Sequence, residues 1–257
     1  MYLFCCEINM CKPSLMKIIN YDSVNSTMDT AVKLIQEGLE EPFIVSAKQQ
    51  INGRGRKKNR WFSPLGGLYL TLVFPYEESI SKDHIVMYHY TTALAICSAL
   101  KTLYNVDASV KWPNDIIIEK KKVGGILIEY ISNGKEFLLL GIGINVNISQ
   151  KLFPKDLREK SISLKAFLEK SLELNELTKT LEERVISFNS FVIKNQFEKI
   201  IHLYNELCIY YSKQIILEDE TKYICRGLDS TGKLILENPS VTKLLDISEA
   251  NTIKSVI

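Results

Sequence analysis

Histidine is scarce in this chain. Its 257 residues contain three, His84, His89 and His202, and the two that are near neighbours stand five apart. A metal centre built on imidazole ligands is not expected from that supply. The six cysteines, Cys5, Cys6, Cys11, Cys97, Cys208 and Cys225, form no C-x-x-C pair. Their scatter argues against a zinc site or a disulfide framework and for free thiols in a reducing compartment. An excess of charge of one sign is lacking too. A net charge of +2 and a pI near 8.1 exclude a surface built as a whole for nucleic acid, so any basic site is local. The N-terminus has no secretory signal: residues 2–6 are apolar but too short, have no basic residues before them and are followed by Glu7. With 46% apolar and 24% charged residues, the chain reads as globular and cytoplasmic, without a membrane span. Organised sequence begins at Lys17; Met10 and Met16 are alternative starts, and residues 1–16 read as an N-terminal extension.

What is present is a set of short periodic segments. Lys17 to Tyr21 and Phe43 to Ala47 read as strands. Between them Ser26-Thr27-Met28-Asp29 has the form of a capping box ahead of a helix that carries Ala31, Leu34 and Ile35 and stops at Gly38. Leu68 to Phe74 alternates with period two, which predicts a strand with Leu68, Leu70, Leu72 and Phe74 on one face. His84 to Tyr104 carries a broad apolar stripe and predicts a buried helix. Ile116 to Ile118 reads as a strand, and Asn133-Gly134 between two apolar runs predicts a hairpin. Residues 155–207 read as helices, with helical periodicity from Leu181 to Phe197. From Lys213 the period becomes two, and five short strands, with a hairpin at Asp229-Ser230-Thr231-Gly232, predict a small barrel. The fold class is α+β: a mixed or antiparallel sheet with packed helices over residues 17–210, followed by a small barrel over residues 211–257.

The chemistry gathers around Gln50 to Trp61, a stretch of twelve residues with two glycines, five basic side chains and a terminal tryptophan. Glycine lets backbone approach a ligand closely, and guanidinium forks suit phosphate or carboxylate. By itself the stretch is compatible with an anion cradle, a solvated basic loop or a nucleic-acid patch. Lys111 precedes Trp112-Pro113, where proline holds the local path, and stands either as a point charge aimed at an anion or as a surface lysine. Asn114 and Asp115 are turn formers, or Asp115 serves magnesium through water. Gly124 and Gly125 permit close backbone approach. Asn145, in Gly141-x-Gly143-x-Asn145, is an unusual residue for a buried strand and points to a ligand.

Taken together, Ser26-Thr27, Gln50, Gly53-Arg54-Gly55-Arg56, Trp61, Lys111-Trp112-Pro113-Asn114-Asp115, Lys122-x-Gly124-Gly125-Ile126-Leu127-x-Glu129 and Gly141-Ile142-Gly143-Ile144-Asn145 resemble the motifs of biotin–protein ligases, in order and at compatible spacing. The resemblance covers Lys17 to Asn147 and resumes at Arg226 to Leu234, which is similar to that family's C-terminal SH3-like barrel. It implies a class II synthetase-like catalytic fold and the activity of a biotin–[biotin carboxyl-carrier protein] ligase. Biotin and ATP are the substrates, with Mg2+, and they yield biotinyl-5'-AMP. The biotinyl group then passes to a lysine of the biotin carboxyl carrier domain of a biotin-dependent carboxylase or decarboxylase.

By that resemblance Lys111 and Arg56 are the catalytic residues, and Lys122 is a second cation at the carboxylate–phosphate junction. Ser26, Thr27, Met28, Gln50, Arg54, Gly55, Arg56, Lys111, Lys122, Gly124 and Gly125 bind biotin. Arg54, Arg56, Trp61, Lys111 and Asn145 bind ATP. No metal-ligating protein residues are assigned. Two positions depart from the pattern: Met28 stands where the family has asparagine, and Asn59 stands where it has arginine, with Arg60 one place on. Only about sixteen residues precede the catalytic region, which implies a monofunctional ligase without a winged-helix repressor domain or DNA binding. Family members are often homodimers. The rival enzyme reading is a lipoate–protein ligase or transferase; its arginine- and glycine-rich motif with a histidine is not found here. The rival of another class is a nucleic-acid-binding module built on Lys57-Lys58-Asn59-Arg60.

Overall fold

A computed structural model describes residues 16–76 and 81–257. The expectations for residues 1–15, including the extension, the three early cysteines and a start at Met10, lie outside the described residues. The first strand and helix follow the sequence pattern. β1 (Lys17–Val24) leads into α1 (Thr27–Gln36), and β2 (Phe43–Gln50) returns parallel to β1. Ser26 caps α1, its hydroxyl accepting from Met28 N at 3.2 Å. The capping box is incomplete, because the Asp29 carboxylate turns away to Arg54. β3 (Leu68–Pro75), β4 (Ser109–Lys111), β5 (Asp115–Ile118), β6 (Lys121–Asn133) and β7 (Lys135–Ile144) complete a mixed seven-stranded sheet in the order β1-β2-β3-β7-β6-β5-β4. Only β1–β2 is parallel. The Asn133-Gly134 hairpin forms as expected, with Gly134 at φ +74°.

Leu68, Leu70, Leu72 and Phe74 share one face of β3 as expected, and the other face is buried too, so that Leu68 to Val73 are all buried. The sheet is covered on both faces. α1 lays Met28, Ala31 and Ile35 over Phe43, Val45, Val73 and Leu139. α2 (Ile85–Tyr104) covers the other face, where Leu70, Leu72, Leu138 and Leu140 meet Leu94, Ile96 and Leu100. α2 is buried from Tyr90 to Leu100, because helices pack on its outer side as well. Each such Leu or Ile removed from water contributes roughly 1.5–3 kcal/mol. The helices that follow are α3 (Lys155–Arg158), α4 (Leu164–Leu168), α5 (Leu174–Ile193) and α6 (Phe197–Leu207). The helical period read from Leu181 to Phe197 is two helices, broken at Asn195, which is left-handed at φ +54°.

The period-two tail forms β8 (Gln214–Leu217), β9 (Lys222–Leu228), β10 (Leu234–Glu237), β11 (Thr242–Leu245) and β12 (Ile253–Val256). The order β11-β10-β9-β8-β12 is an antiparallel sheet, and among the described residues no ladder joins β11 to β12. A 3-10 segment, Ile247–Thr252, separates those two strands, capped by Asp246 and Glu249. This second sheet is bound to α2 through the Tyr90 hydroxyl, which donates to the Gly232 carbonyl. Among the described residues no helix is long and apolar enough to cross a membrane.

Candidate active site

Strand register places the site. Lys111, Asp115, Gly125 and Gly143 are successive partners across β4, β5, β6 and β7, so their side positions share one face of the sheet. The two glycines make that face a floor. A Cβ on Gly143 would stand 2.5 Å from Trp61 Nε1, and one on Gly125 would stand 2.9 Å from Trp61 Cζ3. The Trp61 ring therefore lies directly on backbone, as no side chain would allow. Its Nε1 is buried with no hydrogen-bond partner among the described residues, a donor left for a ligand.

Above this floor is a cavity of about 210 Å3, walled by the start of α1, the inner parts of β6 and β7 and the loop Gly53 to Trp61. One end is uncharged. Gln50 Oε1 accepts from Thr27 N at 2.8 Å and from Thr27 Oγ1 at 3.1 Å, and Gln50 Nε2 donates to Ser63 Oγ at 2.8 Å. Thr71 Oγ1 donates to Thr27 Oγ1 at 2.9 Å. Ser26 and Met28 complete this wall, with the Met28 sulfur lying 2.8 Å from where a Cβ on Gly141 would be.

The other end is cationic. Arg56 donates from Nη1 to Asn114 Oδ1 at 2.8 Å and from Nη2 to the Ile247 carbonyl at 2.6 Å, so the loop is joined to the C-terminal sheet's 3-10 segment. Burial pulls the Arg56 guanidinium below its ordinary value, and the nearby charge of Asp115 opposes that shift; an arginine stays cationic through such a change. Behind it, burial and the Arg56 charge push the His89 imidazole down to about 3, so it is neutral near pH 7. Lys122 Nζ pairs with Asp115 Oδ1 at 2.6 Å and lies 5.0 Å from the centroid of the Trp61 ring. Asn251, contributed by the C-terminal part, closes the lining.

The loop between the two ends is a compact turn. Gly55 N donates to Asn59 O and Trp61 N donates to Gly53 O, both at 2.8 Å. Lys57 and Lys58 are both left-handed, at φ +52° and +64°. Two side-chain-bearing residues in succession there store strain, a feature that clusters at ligand clamps.

Of the residues singled out from sequence, Ser26, Thr27, Met28, Gln50, Arg54, Gly55, Arg56, Trp61, Lys122 and Gly125 line this cavity. Gly124 does not line it and is buried within β6. Lys111 is exposed on the face it shares with Asp115, one strand nearer the sheet edge, and does not line the cavity either. Lys122, the second cation expected at the junction, does line it. Asn145 is buried and outside the lining; its amide donates to Ile162 O at 3.2 Å and Lys122 O at 3.4 Å, so its partners are backbone. The Trp112-Pro113 pair is structural: Trp112 Nε1 donates to Tyr90 Oη at 3.2 Å, and Tyr204 Oη donates to Pro113 O at 3.2 Å. Asn59 and Arg60 both line the cavity as well, and the Arg60 guanidinium donates to Ile51 O at 2.8 Å and Asn52 Oδ1 at 2.7 Å. Sequence reading missed Asn251, and it named Asp29 in a capping box and Glu129 in a family motif without giving either a role at the site. Asn251 carries no local signal, and the two carboxylates become meaningful only through their contact with Arg54.

Residues 21–147 match the model of the biotin/lipoate A/B protein ligase family. The bifunctional ligase/repressor BirA of Bacillus subtilis is 32% identical over 150 residues, which are 57% of this chain and 46% of that protein. The biotin–[acetyl-CoA-carboxylase] ligase of Paracoccus denitrificans is 34% identical over 128 residues, which are 49% of this chain and 52% of that protein. The chain thus spans about half the length of these relatives. The structure of an Aquifex aeolicus biotin protein ligase in complex with biotin and ATP superposes with a TM-score of 0.78 at 24% identity, covering 95% of this chain and 99% of that one. That likeness establishes the fold.

Proposed function

We propose that this chain, which belongs to the biotin/lipoate A/B protein ligase family, activates biotin with ATP and transfers the biotinyl group to a lysine of a carrier domain. The observation that carries this reading is a single cavity, uncharged and hydrogen-bonding at one end and cationic at the other. Biotin has the matching polarity, a ureido ring at one end and a carboxylate at the other. Ser26, Thr27 and Gln50 offer both donors and acceptors to the ureido group. A lipoyl dithiolane has neither the N–H groups nor the carbonyl of a urea to exchange hydrogen bonds with them, so this end favours the ureido acid.

In the first step a carboxylate oxygen attacks the α-phosphorus of ATP, the bond to pyrophosphate breaks, and a mixed anhydride forms. Two anions must approach, so cations at the junction lower the barrier. Lys122 and Arg56 are those cations, and Trp61, stacked on the glycine floor, serves the adenine ring. In the second step a neutral lysine amine attacks the acyl carbon, AMP leaves, and the amine loses a proton. Magnesium, when bound, neutralises phosphate charge. Asp115 is the carboxylate that would hold it, and an ion carried mainly by substrate phosphates needs only one or two. Among the described residues no cluster of three or more potential ligands exists. The acceptor is a biotin carboxyl carrier domain, and the free thiols Cys97, Cys208 and Cys225 suit a cytoplasmic enzyme. Residues 17–210 form the catalytic unit in this reading, and residues 211–257 supply Ile247 and Asn251 to its edge.

The test is incubation with labelled biotin, ATP and a purified carrier domain, with lipoate in a parallel reaction. Label on the carrier from biotin alone is expected. Label from lipoate alone, or from neither, contradicts the reading.

A further inference from the structure

We propose that Arg54 is the strap that fastens the basic loop across the cavity, and that Asp29 and Glu129 are positioning residues that set how long the activated acid is retained. The retention half rests on the reaction proposed above; the strap itself does not. Arg54 Nη1 reaches Asp29 Oδ1 at 2.8 Å, and Nη2 meets Glu129 Oε1. One carboxylate belongs to the first turn of α1 and the other to β6, so the guanidinium spans elements on two sides of the cavity. The neighbouring residues reinforce the attachment. Asn52 N donates to Asn25 O at 2.9 Å, Asn52 Nδ2 donates to Asn25 Oδ1 at 2.6 Å, and Asn25 Nδ2 donates to Asp29 Oδ2 at 3.3 Å.

Charge decides against a ligand-binding role for Arg54. One guanidinium between two carboxylates is a cluster of net charge −1, which repels an anionic substrate. The substrate carboxylate and phosphates are served instead by Lys122 and Arg56; Asp115 pairs with Lys122, and Arg56 feels the charges of Asp115 and Asp246 without an ion pair to either among the described residues. The Arg54 side chain is 37% exposed and its partners are 43% and 27% exposed. Each pair alone is therefore weak, and the strap works as a three-membered network that closes and opens readily. A closed loop keeps water from the mixed anhydride, and an open one lets it escape.

The two roles give opposite results. If Arg54 bound substrate, Asp29→Ala and Glu129→Ala would free it and tighten biotin binding. If Arg54 is the strap, Arg54→Gln, Asp29→Ala and Glu129→Ala each raise the release rate of labelled biotinyl adenylate about 3- to 10-fold. In Asp29→Ala and Glu129→Ala, which leave the cavity lining intact, the rate of pyrophosphate release at saturating biotin and ATP stays near that of the unaltered chain. Arg54→Gln combined with Glu129→Ala is then no worse than the worse single change, because both remove one interaction. Hydrogen exchange over residues 53–61, measured without ligand, rises in all three variants and is partly restored by Arg54→Lys relative to Arg54→Gln. If the unaltered chain forms no adenylate while loop exchange still rises, the reaction reading falls and the strap stands. If release and loop exchange are unchanged in the variants, or biotin binds more tightly, the strap is overturned.

Discussion

The two ends of the cavity are built in different ways. The uncharged end sits on α1, β2 and β3, and its polar groups are bound to one another: Gln50 to Thr27 and Ser63, and Thr27 to Thr71. Those elements are buried on both sheet faces, so this end is preformed. The cationic end is carried by a loop with exposed Arg54, Lys57, Lys58, Asn59 and Arg60, held by ion pairs and by one bond to the C-terminal part. A segment with few apolar contacts opens at low cost in free energy. Under the proposed reaction the contrast gives the ends different tasks: rigid selection of the acid at one, and movable charge for chemistry and retention at the other.

Substitutions break this comparison in a graded way. The largest effect is expected at the junction itself. Lys122→Ala removes the cation beside Asp115 and should lower biotin-dependent adenylate formation by about 10²–10³-fold, the scale of a lost electrostatic stabiliser. Lys111→Ala, exposed and outside the lining, should stay within about twofold, as surface changes do. Single-turnover rates of the two variants, side by side, check this; equal losses would return Lys111 to the chemistry. Next is the floor. Gly143→Ala puts a methyl group 2.5 Å from Trp61 Nε1 and must move the ring. Overpacking of this kind costs about 1–3 kcal/mol, so the KM for ATP should rise about tenfold or more while biotin binding changes less. Titrations of each substrate measure the difference.

A change at the rigid end is expected to act on both binding and folding. Gln50→Ala leaves Thr27 N and the Ser63 hydroxyl without their partner, at a cost of about 1–3 kcal/mol. The KM for biotin should rise, and urea unfolding should show a lower midpoint. An altered KM for ATP with unchanged biotin binding would contradict the assignment. The smallest effect concerns pH. His89 has its folded value lowered to about 3, against an unfolded value near 6.5. The unfolded chain takes up that proton first, so His89's contribution is fully present above about pH 6.5 and declines as pH falls toward 3. His89→Gln should therefore lose less stability than the unaltered chain between pH 6.5 and pH 4, measured as thermal midpoints; parallel curves would count against it.

The same contrast separates what was legible in the sequence from what was not. Helix α1, the α2 stripe, the Asn133-Gly134 hairpin and the period-two tail follow local pattern, and local pattern is what a sequence displays directly. The residues of the rigid end, Ser26, Thr27 and Gln50, were singled out by family resemblance and not by local pattern, and they line the cavity. Which of Lys111 and Lys122 lines the cavity was not legible, because it depends on which position of β5 faces which position of β6. A register shift between Ile116 and Ile117 makes that relation irregular. For Asn145 the sequence pointed to a ligand, and its amide donates to the carbonyls of Ile162 and Lys122, partners that no spacing rule displays. The partners of Arg54 lie 25 and 75 residues away, and no spacing rule joins them. The tail strands were readable one by one, but their order leaves β11 and β12 as edges, which only the pairing reveals.

The most direct measurement is biotin-dependent exchange of labelled pyrophosphate into ATP, which isolates the first step from any acceptor. Exchange that requires biotin, is not supported by lipoate and is lost in Lys122→Ala is the expected result. Exchange supported equally by lipoate, or retained in Lys122→Ala, would contradict a cavity that selects biotin at its uncharged end and joins it to phosphate at its cationic one.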